Sequence, residues 1–267
     1  MQPFHFVPPH SLARYISFYG VFETNEGSSE PYVSPPLGLC GFIICLKGKV
    51  DAWLNGNLFM KDNYCATGQV TAPMIGTITA SKQLLVFIQP CGLYQLFGID
   101  MSRLTNTSMP LSELLGNEEA DALITRLNAA ADNKKMIAVM NDFFMAQQPV
   151  LEIAPKIEKA LDYIHRNKGN VTVKDMEQNC FITLRSLERH FKLYIGLSPK
   201  EYAKIFRFKC LINYIKENPG VTWARLCEEN SFYDQSHITR YFNRYMKIKP
   251  NELVNVDMEF ITYLLQE

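Results

Sequence analysis

The chain has 267 residues, 47% apolar and 20% charged, with 27 Lys and Arg against 27 Asp and Glu. That length allows two domains with ordinary cores, and a net charge of zero argues, taken alone, against a nucleic-acid binder. No basic region followed by an apolar run opens the chain, and the most apolar stretch, Leu84 to Ile99, is broken by Gln89, Pro90, Gly92 and Gln95. Neither a signal peptide nor a bilayer span is expected.

Residues 1–20 mix prolines with a helical pattern, Leu12, Tyr15, Ile16 and Tyr19, after a cap at Ser11,. From Val21 to about Pro90, short apolar runs alternate with Gly, Asn, Pro and Ser breaks. Asn55-Gly56, between DAWL and NLFM, reads as a two-residue hairpin turn,. Several short strands at this spacing predict a barrel or sandwich within a β-rich domain over 1–110,.

Residues 111–154 turn helical and end in a linker from Gln147-Gln148-Pro149 to Pro155. One apolar stripe holds Leu111, Leu114, Leu115, Leu123, Ile124 and Leu127; another holds Met136, Val139, Met140 and Phe143. Such stripes serve as intramolecular core or as a dimer contact.

Charge divides the chain. Residues 1–155 sum to −4 and residues 156–250 to +8, the footprint of a DNA-binding half within a neutral protein,. That half, 155–255, is predicted to start with Pro155 at the first position of a helix whose inner stripe is Ile157, Ala160, Leu161 and Ile164,. A positioning helix follows from Thr172 to Cys180, then a recognition helix capped by Thr183. Ser198, Pro199 and Glu201 open a long rod that ends at Asn218-Pro219-Gly220,. Thr222 to Asn230 forms a second positioning helix, and residues 256–267 form a helical tail.

Thr183 to Pro199 returns at Asp234 to Pro250. At an offset of 51, Leu187 meets Ile238, Arg189 meets Arg240, Phe191 meets Phe242 and Tyr194 meets Tyr245, so a supersecondary unit is duplicated. Leu184, Leu187 and Phe191 give the first copy an apolar back, and Ile238, Tyr241 and Phe242 the second. Arg185, Glu188, Arg189 and Lys192 lie on the opposite face of the first copy,. A short helix of this kind suits the major groove, where Arg pairs with guanine, Gln with adenine and Glu with cytosine.

RSLERHFKLYIGLSPKEYAKIFRF and SFYDQSHITRYFNRYMKIKP together resemble the DNA-binding domain of AraC/XylS-type transcription regulators. The resemblance implies an α+β chain: a β-rich, cupin-like barrel domain with flanking helices, then an all-α domain with two helix-turn-helix units. TGQVTAP and IQPCGLYQLFGI are similar to an uncharacterised N-terminal domain found on some members. Implied partners are double-stranded promoter DNA, a small-molecule effector in the N-terminal domain, RNA polymerase for an activator, and a second copy; no cofactor is implied.

Base-reading candidates are Arg185, Ser186, Glu188 and Arg189 in the first unit and Gln235, Ser236, His237 and Arg240 in the second. Thr183, Lys192, Lys200 and Arg244, with Lys204, Arg207, Lys247 and Lys249 near them, are candidates for phosphate contacts,. Arg189 and Arg240 also fit a structural role against a carboxylate or turn, and His165 and His190 read as surface or core histidines. Phe181 and Ser231 stand where the family's tight turns carry Gly, so both turns are expected to be slightly rearranged. Glu177 stands where a small residue usually packs.

Three rivals stay open. An enzyme of the cupin type needs clustered histidines, but His5, His10, His165, His190 and His237 all lie outside the β-patterned residues,. A thiol or metal sensor would use Cys40, Cys45, Cys65 and Cys91. The turn departures fit a protein-interaction module with weakened DNA binding. Seven cysteines at irregular spacing make no disulfide framework, so a reducing cytoplasm is the expected location,.

Overall fold

A computed structural model describes residues 2–24, 29–60, 62–248 and 261. Pro250, Lys249 and nearly all of the 256–267 tail lie outside them.

The N-terminal part is one antiparallel sheet. Its strands are β1 (Gln2–Phe6), β2 (Ile16–Glu23), β3 (Ser29–Ser34), β4 (Cys40–Leu54), β5 (Asn57–Leu58), β6 (Tyr64–Thr67), β7 (Met74–Ile88) and, after helix α1 (Gly92–Phe97), β8 (Ser108–Pro110). The hydrogen-bonded path runs β1-β2-β7-β4-β6-β8, with β3 on β7 and β5 on β4. No pairing among the described residues joins β1 to β8. The long strands β4 and β7 form the spine, and their register slips between Cys45 and Lys49, where Gly48 takes φ 78°. Past this bulge each strand meets a new neighbour, as an inserted residue bends a ladder. Asn55 (φ 51°) and Gly56 (φ 81°) close the β4–β5 hairpin with two positive φ values, as the sequence predicts,.

The helix expected after Ser11 is absent. A single 3-10 turn, His10–Leu12, leads instead into β2. Ile16, Phe18, Tyr19, Val21 and Phe22 are all buried because β2 is covered on both faces. Phe18 stacks on Phe87 at 4.1 Å, and the Tyr19 hydroxyl donates to the Asn141 side chain at 2.9 Å. Burial on both faces removes the period-2 alternation that marks a strand.

Helices α2 (Leu111–Leu115), α3 (Asn117–Asn128) and α4 (Asn133–Ala146) follow. Their stripes go inward. Leu111, Leu123, Leu127, Met136, Met140 and Phe143 are buried, and the Phe42 ring on β4 lies 6.5 Å from Phe143 and 5.7 Å from Phe144. The intramolecular reading of these stripes holds.

The remaining helices are α5 (Pro155–Arg166), α6 (Val173–Cys180), α7 (Leu184–Tyr194), α8 (Pro199–Glu217), α9 (Trp223–Glu229) and α10 (Gln235–Tyr245). Each of the last five is capped by the residue before it: Thr172, Thr183, Ser198, Thr222 and Asp234. Such a cap is worth about 1 kcal/mol. One large hydrophobic core runs from β2 to α10, and two smaller clusters lie within the sheet region.

That core crosses the junction of the two halves, and polar contacts flank it. Arg14 pairs with Glu158 at 2.9 Å, the Tyr94 and Tyr194 rings meet at 4.4 Å, and the Thr105 hydroxyl donates to the Gly196 carbonyl at 2.7 Å. Gly196, at φ 92°, admits no side chain, since a Cβ there would lie 2.6 Å from the Met101 carbonyl oxygen. The end of α7 is thus seated directly on the N-terminal part.

Candidate nucleic-acid interface

Each unit pairs a positioning helix with a recognition helix across a tight turn: α6 with α7, and α9 with α10. The backs of the recognition helices carry the packing. Leu187, Phe191 and Tyr194 are buried in the first and Ile238, Phe242 and Tyr245 in the second. Leu184, read from sequence as part of the apolar back, is instead 45% exposed at the first position of α7. Its backbone N–H donates to the Glu177 carboxylate at 2.8 Å, so Glu177 acts as a second cap where a small residue was expected.

The turns keep the left-handed conformation. Phe181 has φ 53°, ψ 46°, and Ser231 has φ 56°. The expected rearrangement does not occur; the backbone accepts the strain, about 1–2 kcal/mol for a residue with a Cβ. The Lys156 ammonium donates to the Phe181 carbonyl at 2.6 Å, and Lys159 sits 4.7 Å from the Phe181 ring. Ser231→Gly is therefore expected to raise stability by ~1 kcal/mol, and Phe181→Gly by less, because it also gives up the Lys159 contact. Urea melts check both, and an unchanged or lowered midpoint for Ser231→Gly would show that the turn is unstrained.

The two turns differ in length. Thr172 corresponds to Thr222 and Phe181 to Ser231 at an offset of 50, whereas Thr183 corresponds to Asp234 at 51. The buried Ile182 and Phe232 match, leaving Tyr233 as the added residue, 92% exposed.

Arg185, Glu188 and Arg189 are exposed on α7, as are Gln235, Ser236 and Arg240 on α10. Ser186 is half-buried, and its hydroxyl lies 3.2 Å from His190 Nδ1, whose Nε2 lies 3.4 Å from an Arg189 guanidinium nitrogen. A guanidinium can only donate, so Nε2 accepts and Nδ1 carries the proton that goes to Ser186. His190 therefore orients Arg189. Sequence reading placed it on the surface or in the core, and the i, i+4 spacing from Ser186 was the signal available.

His237 stands apart from the other candidates. It is half-buried, its ring 5.1 Å from Phe232 and 5.5 Å from Tyr241. Burial pushes its pKa down, and the Arg207 and Arg240 guanidinium groups push it further. The ring packs the back of the second turn, and only its edge is available.

Of the phosphate candidates, Lys200 is exposed at the start of α8. Thr183 spends its hydroxyl on the Ser186 N–H at 3.4 Å, Lys192 donates to the Gly196 carbonyl at 2.9 Å, and Arg244 pairs with Glu201 at 2.6 Å. Glu201 therefore does not complete the capping box read at the start of the rod. Arg207 is also engaged, donating from Nη2 to the carbonyls of Asn230 and Ser231 while its guanidinium lies 4.1 Å from the Phe232 ring. It is a clamp between the rod and the second turn, which corrects its reading as a phosphate contact.

Residues 178–255 match the model of a helix-turn-helix domain, and residues 4–110 match a domain of unknown function, DUF6597. No curated protein matches the chain. Among solved structures, ToxT from Vibrio cholerae is similar at 10% identity over 89% of this chain and 97% of that chain, with a TM-score of 0.49. Unsaturated fatty acid-bound ToxT from the same species is similar at 11% identity over 88% and 94% of the two chains, with a TM-score of 0.47. The AraC-like transcriptional activator CuxR is similar at 17% identity over 77% and 79%, with a TM-score of 0.35.

Proposed function

We propose that the chain is a transcription regulator of AraC/XylS type that binds promoter DNA sequence-specifically in the cytoplasm, a reading supported by the match of residues 178–255 to a helix-turn-helix domain. In this reading α7 and α10 enter successive turns of the major groove, about 34 Å apart. The observation that carries it is the matched pair of capped helices, each with a buried aromatic back (Phe191, Phe242) and an exposed arginine front (Arg185 and Arg189, Arg240). Guanine is the natural partner of those arginines and adenine that of Gln235. Lys200 and Lys204 supply part of the salt-dependent, sequence-independent attraction.

The sheet supplies the regulatory end. A cavity of about 100 Å³ opens among Tyr32, Leu37, Phe42, Thr67, Met74 and Gln83. Its lining is apolar with uncharged polar groups, and burial keeps the Tyr32 hydroxyl protonated. Such a lining suits a small neutral apolar molecule and would leave a charged one unpaired. The junction at Thr105 and Gly196 then gives the effector a direct path to α7.

Two rival readings lose support. Burial pushes the Cys40 thiol up to about 12 and the Cys45 thiol up to about 11, so neither is a ready thiolate at neutral pH,. No three His, Cys, Asp or Glu side chains come together at metal-holding distance among the described residues. The turn departures that favoured a module with weakened DNA binding leave the turn backbone unchanged.

The test is selection of random duplex DNA by the full chain. Enrichment of a bipartite site, its halves one helical turn apart, with affinity falling steeply as salt rises, is the expected result. Binding that is independent of sequence would overturn the reading.

A further inference from the structure

A polar cleft of about 250 Å³ opens where the end of α5 meets the turn of the second unit. Its floor is Arg207 on the rod. One wall holds Arg166, Lys168 and Asn170, and the other carries Glu229 at the last position of α9. The rod fixes both walls. After α5 the chain turns at Lys168 (φ 50°) and Gly169 (φ 73°), and a Cβ on Gly169 would lie 2.6 Å from the Arg207 amide nitrogen. The opposite wall is held by the Arg207 side chain through the carbonyls of Asn230 and Ser231. The cleft is therefore formed before any ligand arrives, which spares the ligand an ordering cost.

Its chemistry is one-sided. Three cations meet one carboxylate, and no large apolar side chain lines the space. Arg166 and Lys168 are exposed and have no carboxylate partner among the described residues. Arg166 donates from Nε to the Asp162 carbonyl at 3.3 Å, which leaves its terminal nitrogens to a ligand. Arg207 spends Nη2 on the two carbonyls, but its charge stays, and its Nε is buried with no hydrogen-bond partner among the described residues. The C-terminal ends of α5 and α9 reach the cleft, and such ends repel an anion. Here their carbonyls already have donors. The Lys168 and Gly169 N–H groups donate to His165 and Ile164, and Arg207 serves Asn230 and Ser231.

We propose that this cleft binds phosphate. Phosphate oxygens can accept from Arg166 and Lys168 at once, with the Arg207 charge behind them. The excess of two positive charges, three cations less one carboxylate, matches one phosphate monoester with about two negative charges,. It equally matches two successive phosphodiesters of a nucleic-acid backbone. Two sources therefore share the chemistry: a free phosphate ester, and the duplex backbone between the two half-sites. The second source rests on the proposed function, and the first does not. Glu229 is the opposing charge that limits affinity in either case.

Calorimetric titration of the full chain with inorganic pyrophosphate and with adenosine monophosphate tests the first source. For the second, affinity for the selected bipartite site is measured before and after uncharged methylphosphonates replace the phosphates between its halves. The variant combines Arg166→Gln with Lys168→Asn, since Asn tolerates the left-handed backbone at 168. It should lose ~10-fold or more with whichever source binds and, on duplex, lower the salt slope by about two. On the neutralised duplex it should bind like wild type. Glu229→Gln should tighten binding several-fold, a gain that a merely structural role does not produce. Lys135→Gln, the same charge change on exposed α4, should alter nothing. Unshifted thermal melts show that the variants fold. The site is overturned if neither free probe binds saturably up to about 10 mM and duplex affinity ignores both the double variant and the neutral spacer. Weaker binding by Glu229→Gln would overturn it too. If the chain selects no duplex, the proposed function fails and the free probes alone decide: binding upholds the site, and none ends it.

Discussion

Arg189→Ala is expected to weaken binding to the selected bipartite site by roughly ten- to a hundred-fold, a loss of ~1–3 kcal/mol, and to relax the preference at one base pair. Arg189 stands exposed one turn along α7 from Arg185, with His190 and Ser186 behind it fixing the guanidinium. Arg185→Ala should have a loss of similar size at a different base pair. Lys200→Ala should weaken all sequences alike and flatten the salt dependence instead. His190→Ala leaves the cation in place and removes its support, so it should cost less than Arg189→Ala and at the same base pair. Competition binding against single-base variants of the selected site separates these outcomes. If both arginine variants bind like wild type, α7 does not present this face to the bases.

Arg207→Ala is expected to destabilise the second unit by about 2–3 kcal/mol and to abolish protection of one half-site before the other. The side chain supplies charged hydrogen bonds to the carbonyls of Asn230 and Ser231 and lies against Phe232. Removing it leaves those carbonyls short of a donor and strips the cation from the ring. The loss is moderated because Arg207 Nε is itself buried without a hydrogen-bond partner among the described residues, a cost that disappears with the side chain. Arg207→Lys should recover little, since one ammonium cannot serve two carbonyls and a ring with the geometry of a guanidinium. Footprints and urea melts together check this. Equal loss of protection at both half-sites would show that Arg207 does not act through the second turn alone.

Much of the helical half was legible because its signals are local. Thr172, Thr183 and Ser198 sit at caps with matching partners, Pro155 and Pro199 open helices, and Leu187 and Phe191 repeat at helical spacing. The Asn55-Gly56 hairpin was legible for the same reason. What escaped depends on distant groups. Strand β2 read as a helix because its packing on β7 and α4 hides both faces. Glu177, Arg207 and Arg244 find partners 7, 24 and 43 residues away, and a sequence shows only that they are charged. The longer second turn was missed because a single offset of 51 spans the recognition helices but not the helices before them.

The junction at Gly196 makes α7 and α10 unequal. Thr105 and Met101 hold the end of α7, whereas α10 is held through Arg207 and the rod. The molecule thus resembles a pair of calipers with one jaw fixed to the handle. On the proposed function, a change in the sheet would move the fixed jaw and leave the other in place, so a signal would be registered as an altered span along the duplex.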